Sequence, residues 1–191
     1  MIDKLIDYIE LYTPLSSTEK DDLRELSEIQ QFDKHAIIFS EGEISTDIYF
    51  VLEGCVRLFY NVDAVDKTAF FYTEGQFICA GESYTFNKPA VENYEAMEPT
   101  TLCILSKTTI EKLLQRSGTF ENIARIAVEN ELLTAQRIIA SFVTLSAEDR
   151  YTDLLERRGE LFLRIPQHYI ATFLGVSPET LSRIKQRIAK K

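Results

Sequence analysis

Apolar residues recur along this chain in two rhythms, and the switch between them divides it. Ile2, Leu5, Ile6 and Ile9 fall at helical spacing, which predicts an amphipathic helix ending near Pro14. A second short helix is expected next, capped by Ser17 or Thr18, with acidic residues in its first turn and Leu23 and Leu26 inward. From about residue 29 to residue 106 the pattern becomes short β-rich runs broken by turns, at 36–39, 48–52, 55–60, 68–72, 77–79, 93–97 and 101–105. Runs at this pitch predict an all-β barrel or sandwich of seven or eight strands, with Gly42 and Gly54 at two of its corners.

Helical spacing returns at Thr109, Ile110, Leu113 and Leu114, and a longer helix is predicted over 120–145. It is apolar around much of its circumference. Ala124, Val128, Ala135, Ile138, Phe142 and Leu145 keep a heptad-like spacing interrupted by Glu131, while Ile123, Ile126, Leu133 and Ile139 occupy other faces. Two apolar faces need two covers, and the β domain can supply one. The other points to a partner subunit held through Ala124, Val128, Ala135, Ile138 and Phe142, with burial in a single larger monomer core as the alternative. A helix end followed at once by a new N-cap at 145–149 marks a hinge. A helix over 147–158 then stops at Gly159, and 161–165 reads as a short strand.

The last stretch, 165–185, carries two short helices meeting at a sharp turn. Ile170, Leu174, Val176, Leu181 and Ile184 are spaced to share one small core, and Ala171 is small where the second helix must approach. Gly175 can take the left-handed conformation that ends a helix. Ser177-Pro178 then supplies an N-cap followed by proline at the first helical position. On the second helix Leu181, Ile184 and Ile188 form the inward stripe, and Glu179, Ser182, Arg183 and Gln186 share the opposite face. This is the pattern of a helix-turn-helix whose polar face is free to enter a major groove; a helical hairpin with a merely solvated outer face is the alternative.

Charge supports two functional parts. The chain of 191 residues carries a net charge of −9, yet residues 150–191 hold nine Lys plus Arg against four Asp plus Glu. A basic segment suited to phosphates is thus joined to an acidic body, so an acidic total does not argue against DNA. No apolar run approaches the roughly 18 residues of a membrane span, and the N-terminus lacks a signal-peptide pattern, so a cytoplasmic protein is expected. Cys55, Cys79 and Cys103 sit singly in apolar segments, as core thiols do, with a redox or iron-sulfur role as the alternative.

Several words of the chain, in their order, resemble the cyclic-AMP receptor and fumarate-nitrate regulator (Crp/Fnr) family of bacterial transcription regulators. They are Phe39-Ser40-Glu41-Gly42-Glu43, Tyr49-Phe50-Val51-Leu52-Glu53-Gly54-Cys55-Val56, Glu74-Gly75-Gln76-Phe77-Ile78, and Ile170-Ala171 through Gly175-Val176-Ser177 to Glu179-Thr180-Leu181-Ser182-Arg183. The resemblance covers essentially the whole chain. It implies an α+β protein with a cyclic-nucleotide-binding-like β-roll, a jelly-roll-like antiparallel barrel, over 1–117. A dimerisation helix over 118–145 and a helix-turn-helix DNA-binding domain over 146–191 would follow. So few residues follow the recognition helix that the expected module is a truncated winged helix, without the closing hairpin.

By the same resemblance, relatives that bind cyclic AMP hold its phosphate at a Gly-Glu pair opening a short helix and neutralise it with an arginine a short loop later. Ala80-Gly81-Glu82-Ser83 matches the first half, making Gly81, Glu82 and Ser83 candidate ligand contacts. The arginine position holds Ala90, with Glu92 close by; Lys88 could substitute only as a point charge. Ala135 and Gln136 stand where relatives offer hydroxyls to the base, and the cysteine cluster of the iron-sulfur members is absent. Cyclic AMP is therefore disfavoured and the effector is open.

The expected function is a homodimeric regulator binding double-stranded DNA at a palindromic site, acting with RNA polymerase as the resemblance implies. Ser177, Pro178, Glu179, Ser182, Arg183, Lys185, Gln186 and Arg187 are the candidate DNA contacts, with Lys190 and Lys191 adding phosphate contacts. No catalytic or metal-binding residues are expected: the only histidines are His35 and His168, too few for a cupin-type metal site, and there is no Walker-type loop. A nucleotide or small-ligand sensor acting through protein contacts is the competing function.

Overall fold

The computed structural model describes residues 1–63 and 65–189. Two four-stranded sheets form a roll. The first orders its strands β1 (Glu28–Phe32), β8 (Thr100–Ser106), β3 (Asp47–Glu53) and β6 (Phe77–Cys79); the second orders β2 (Ile37–Phe39), β7 (Asn93–Ala96), β4 (Val56–Val62) and β5 (Val65–Tyr72). The pairings of β1 with β8, β3 with β8, β3 with β6 and β2 with β7 are antiparallel. The protein is α+β, an antiparallel jelly-roll domain followed by helices.

Strand β3 shows why the roll holds. Tyr49, Phe50, Val51 and Leu52 are all buried, so both of its faces are covered. Phe50 and Leu52, with Cys103 and Leu105 of β8, face a helical layer made by α1 (Asp3–Glu10), α2 (Ser17–Leu26), α4 (Lys107–Arg116) and the start of α5 (Gly118–Thr144), where Leu5, Ile9, Leu23, Leu113 and Phe120 meet them. Tyr49 points the other way, into the roll, where Phe39, Tyr72 and Tyr94 of the second sheet gather. The ring centroids of Phe39 and Tyr94 lie 4.3 Å apart, and those of Phe39 and Tyr49 6.1 Å. On the opposite face of β7, buried Glu95 is bracketed by Arg57 at 2.6 Å and His35 at 2.7 Å.

Gly54 is required where it stands. Its φ is +104°, and an added Cβ would come within 2.7 Å of the Thr100 Cα.

Two local expectations are corrected. The cap of α2 is Ser16, not Ser17 or Thr18: its hydroxyl accepts from Glu19 N–H while the Glu19 carboxylate accepts from Ser16 N–H, a reciprocal capping box. Residues 161–165 are not a strand. Leu161–Arg164 form a short helix, α7, because Gly159 stays right-handed and the N–H groups of Phe162 and Leu163 bond back to Gly159 and Glu160. Along α5, Val128 (68% exposed), Leu132, Ile139 (63%) and Phe142 are open around half-buried Ala135, while Ile138 and Leu145 are half-buried and Ala124 is exposed. The intervals 128, 132, 135, 139 and 142 alternate four and three, as in a coiled-coil seam.

By internal contacts the chain forms two compact units, Met1–Leu58 with Phe71–Asn130, and Phe59–Phe70 with Glu131–Lys191. The roll without its 59–70 hairpin tip, together with the helical layer, makes up the first. In the second, α6 (Ala147–Arg158), α7, α8 (Gln167–Phe173) and α9 (Pro178–Ile188) pack around Tyr151, Leu154, Leu161, Ile165, Ile170, Leu174, Leu181 and Ile184. The hairpin tip 59–70 joins this unit, with Thr68 N–H donating to Thr172 Oγ1 at 3.3 Å.

Candidate nucleic-acid interface and effector site

Helix α8 ends in a complete Schellman motif. Gly175 has φ +70°, Val176 N–H donates to Ala171 O at 3.0 Å, and Gly175 N–H donates to Thr172 O at 3.0 Å. Two residues later Ser177 caps α9, its hydroxyl accepting from Thr180 N–H at 3.2 Å, and Pro178 takes the first helical position. Ile170, Leu174, Leu181 and Ile184 are buried, while Val176 and Ile188 are half-buried. The two helices are thereby set in the helix-turn-helix arrangement.

Glu179, Ser182, Arg183 and Gln186 all stand exposed on the outer face of α9. The Glu179 carboxyl is held below its ordinary range first by the Ser177 hydroxyl, then by its own N–H, with a smaller contribution from the charge of Arg183. Arg183 makes no hydrogen bond or ion pair with any described residue, so its guanidinium fork stays available. Ser177 and Pro178 are exposed too, but their first role is to start the helix. Lys185 and Arg187 project from opposite flanks of α9. Lys185 is half-buried, and Arg187 lies 3.5 Å from Glu148 at the start of α6. Lys190 and Lys191 lie outside the described residues.

A residue the sequence reading passed over ties this module to the helix before it. Arg150, in the second turn of α6, donates from Nε and Nη2 to the Leu174 carbonyl at 3.2 and 3.0 Å, and from Nη1 to the Leu145 carbonyl at 2.9 Å. Its guanidinium also lies 4.6 Å from the centre of the Phe142 ring. That ring in turn sits against the turn, where a Cβ at Gly175 would come within 2.8 Å of it. Nothing in the local pattern signals this, because Arg150 and its partners are spread over three helices.

In the roll, Gly81, Glu82 and Ser83 open the six-residue helix α3 (Gly81–Phe86). Ser83 is buried and its hydroxyl accepts from Ser45 N–H at 2.8 Å. Ala90, 3% exposed, is laced to the Gly42 turn: Gly42 N–H donates to Ala90 O and Ala90 N–H to Glu43 O, both at 2.8 Å. Lys88 lies elsewhere on the surface, over Phe86. It is exposed, with its ammonium 5.5 Å from the centre of the Phe86 ring. Glu92, by contrast, is buried beside the loop. Gly81 and Glu82 remain exposed, so of the four candidate ligand contacts the structure gathers only the first three on one element.

Cys55 and Cys103 are buried and Cys79 half-buried, all as free thiols. Burial pushes the Cys103 thiol up to about 11, which disfavours the reactive thiolate. Among the described residues no group of three or more His, Cys, Asp or Glu is placed to hold a metal, and no helix is long and apolar enough to cross a membrane.

The sequence pattern of the cyclic nucleotide-binding domain family matches residues 29–117. No curated protein matches the chain. Among solved structures, FixK2 from Bradyrhizobium japonicum is 20% identical, with a TM-score of 0.73 over 86% of this chain and 85% of that one. The c-di-GMP responsive global regulator CLP of Xanthomonas campestris is 17% identical, with a TM-score of 0.72 over 92% of each chain. A transcriptional regulator assigned to the Crp/Fnr family, from Eubacterium rectale, is 18% identical, with a TM-score of 0.71 over 96% of this chain and 88% of that one. At these identities the likeness is one of fold.

Proposed function

We propose that this chain, which carries a cyclic nucleotide-binding domain at residues 29–117 within the fold of the Crp/Fnr regulators, is a sequence-specific, homodimeric DNA-binding transcription regulator. The observation that carries the reading is the outer face of α9, where Arg183 is exposed and uncommitted between Glu179 and Gln186 on a helix started by a cap and a proline. Arginine pairs bidentately with guanine O6 and N7, and glutamate accepts from cytosine N4, so a G·C-containing half-site is expected. Ser182 and Gln186 share the groove face. Lys185 and Arg187, on the two flanks, suit the phosphates on either side, as do Lys190 and Lys191. Two such modules related by a two-fold axis fit a palindrome, and the exposed seam of α5 is the surface proposed to join them. In this reading the protein works in the cytoplasm, where it meets DNA and RNA polymerase, and performs no catalysis.

Selection of bound sequences from a random DNA pool is the test. An enriched palindrome with G·C in each half is expected; recovery of unenriched DNA would turn the proposal toward a sensor that acts through protein contacts.

The effector domain is proposed to take something other than cyclic AMP. A cyclic phosphate needs a paired positive charge when buried, and Ala90 supplies none while Lys88 is turned outward over Phe86. Calorimetry with cyclic AMP should show no saturable binding at micromolar concentrations. Saturation there would mean that another group neutralises the phosphate. The similarity to CLP, a c-di-GMP responsive regulator, is in keeping with this fold serving other ligands.

A further inference from the structure

We propose that Arg150 is the residue that positions the recognition helix, fixing the helix-turn-helix turn to the end of α5 and so setting the separation of the two recognition helices in the dimer. The inference rests on the dimeric DNA-binding reading above. Its basis is geometric. The last carbonyls of a helix lack intrahelical partners and carry the negative end of the helix dipole. The Schellman motif satisfies Ala171 and Thr172 of α8, and Arg150 takes the carbonyl of Leu174 that follows them. The same guanidinium takes the carbonyl of Leu145, the first residue past α5.

One planar cation, held on a third helix, therefore closes the ends of two others and lies over Phe142. Phe142 is itself on the exposed seam of α5, so the ring that a partner protomer would cover is the ring that meets the Gly175 turn.

Only an arginine can do this. Its N–H groups leave three nitrogens in one plane toward different sides, whereas a lysine ammonium is a point charge that cannot hold both carbonyls with the same geometry. Because the bonds are charge-assisted, their loss is felt even at a half-buried site. What is lost is orientation. Two recognition helices must meet half-sites about one helical turn apart, and one base pair added between half-sites rotates them by about 34°.

The experiment compares the wild-type protein with Arg150→Lys and Arg150→Gln on a selected palindrome and on versions with one base pair added or removed between the half-sites. The wild type should favour one spacing by about tenfold or more. Arg150→Lys should weaken binding at that spacing by about tenfold, the equivalent of losing one charge-assisted bond, and leave the other spacings nearly unchanged, so that the preference collapses. Dimer mass and melting temperature should stay as in the wild type. An equal loss at every spacing, no loss at all, or a dissociated or unfolded Arg150→Lys protein would make Arg150 an ordinary structural residue and overturn the proposal.

A second arm needs no DNA. Nitroxide labels at Ala189→Cys, with Cys55, Cys79 and Cys103 replaced by alanine, report the distance between the two α9 helices of the free dimer. A narrow distribution that broadens with Arg150→Lys supports the proposal, and an unchanged distribution overturns it. Should the wild type show no sequence preference, the DNA-binding reading fails and the label distances alone judge Arg150.

Discussion

Replacing Arg57 by methionine should destabilise the β-roll by about 3–5 kcal/mol, because it leaves the Glu95 carboxylate buried without its cation. Arg57 is 1% exposed, and its Nη2 lies 2.6 Å from Glu95 Oε2. The remaining partner, His35, reaches the other carboxylate oxygen from a half-exposed position and cannot replace the buried guanidinium. Urea unfolding measures the effect. The double variant Arg57→Met with Glu95→Leu should recover much of the loss, since removing both charges removes the desolvation cost together with the attraction. A single-variant cost under about 1 kcal/mol would show that water or a rearranged neighbour solvates Glu95, and the buried pair would then be of no structural weight.

Placing a carboxylate in the seam of α5 should dissociate the proposed dimer. Ala135 lies half-buried between Leu132 and Ile139, in the line that continues to Val128 and Phe142. In a two-fold interface each substitution occurs twice, so Ala135→Glu would bring two like charges into an apolar contact. Sedimentation at micromolar concentration should give a dimer for the wild type and a monomer for Ala135→Glu, with the helical circular dichroism of the two alike. A wild-type monomer under those conditions would leave the exposed seam without its proposed partner. An Ala135→Glu dimer as stable as the wild type would place the interface elsewhere.

Legibility in the sequence followed the range of the interactions. The helix-turn-helix could be seen because its determinants lie within about twenty residues: Gly175 needs a left-handed backbone, Ser177 caps, and Pro178 can stand only at a helix start. The strands were visible for the same local reason, with Gly42 and Gly54 marking turns that the structure shows at positive φ. Even the Ser16 cap was there to be found, since Ser16 precedes Glu19 by the three residues a capping box needs; a run of three hydroxyl residues hid which one caps.

Long-range partnerships were not legible. His35, Arg57 and Glu95 come from separate elements, and a pattern scan marks Arg57 only as an odd charge in an apolar strand. Arg150 was counted for its charge alone, although its bonds are to backbone carbonyls, which leave no mark on sequence. The segment 161–165 misled in a different way. Its apolar residues suit a strand, but Leu161–Arg164 instead close one helical turn, which buries Leu161 and leaves Leu163 exposed. For the ligand contacts the motif words placed Gly81, Glu82 and Ser83 on one helix, whereas only the structure shows that Ser83 is already engaged by Ser45 and that Lys88 lies over Phe86.

Base reading by Arg183 is tested most directly by comparing the wild type with Arg183→Ala on a selected palindrome and on scrambled DNA. The expected loss is about 1–3 kcal/mol on the palindrome, with relaxed preference at one base pair per half-site and little change on scrambled DNA. An equal loss on both would mean that Arg183 touches only phosphate, and the outer face of α9 would no longer account for sequence recognition.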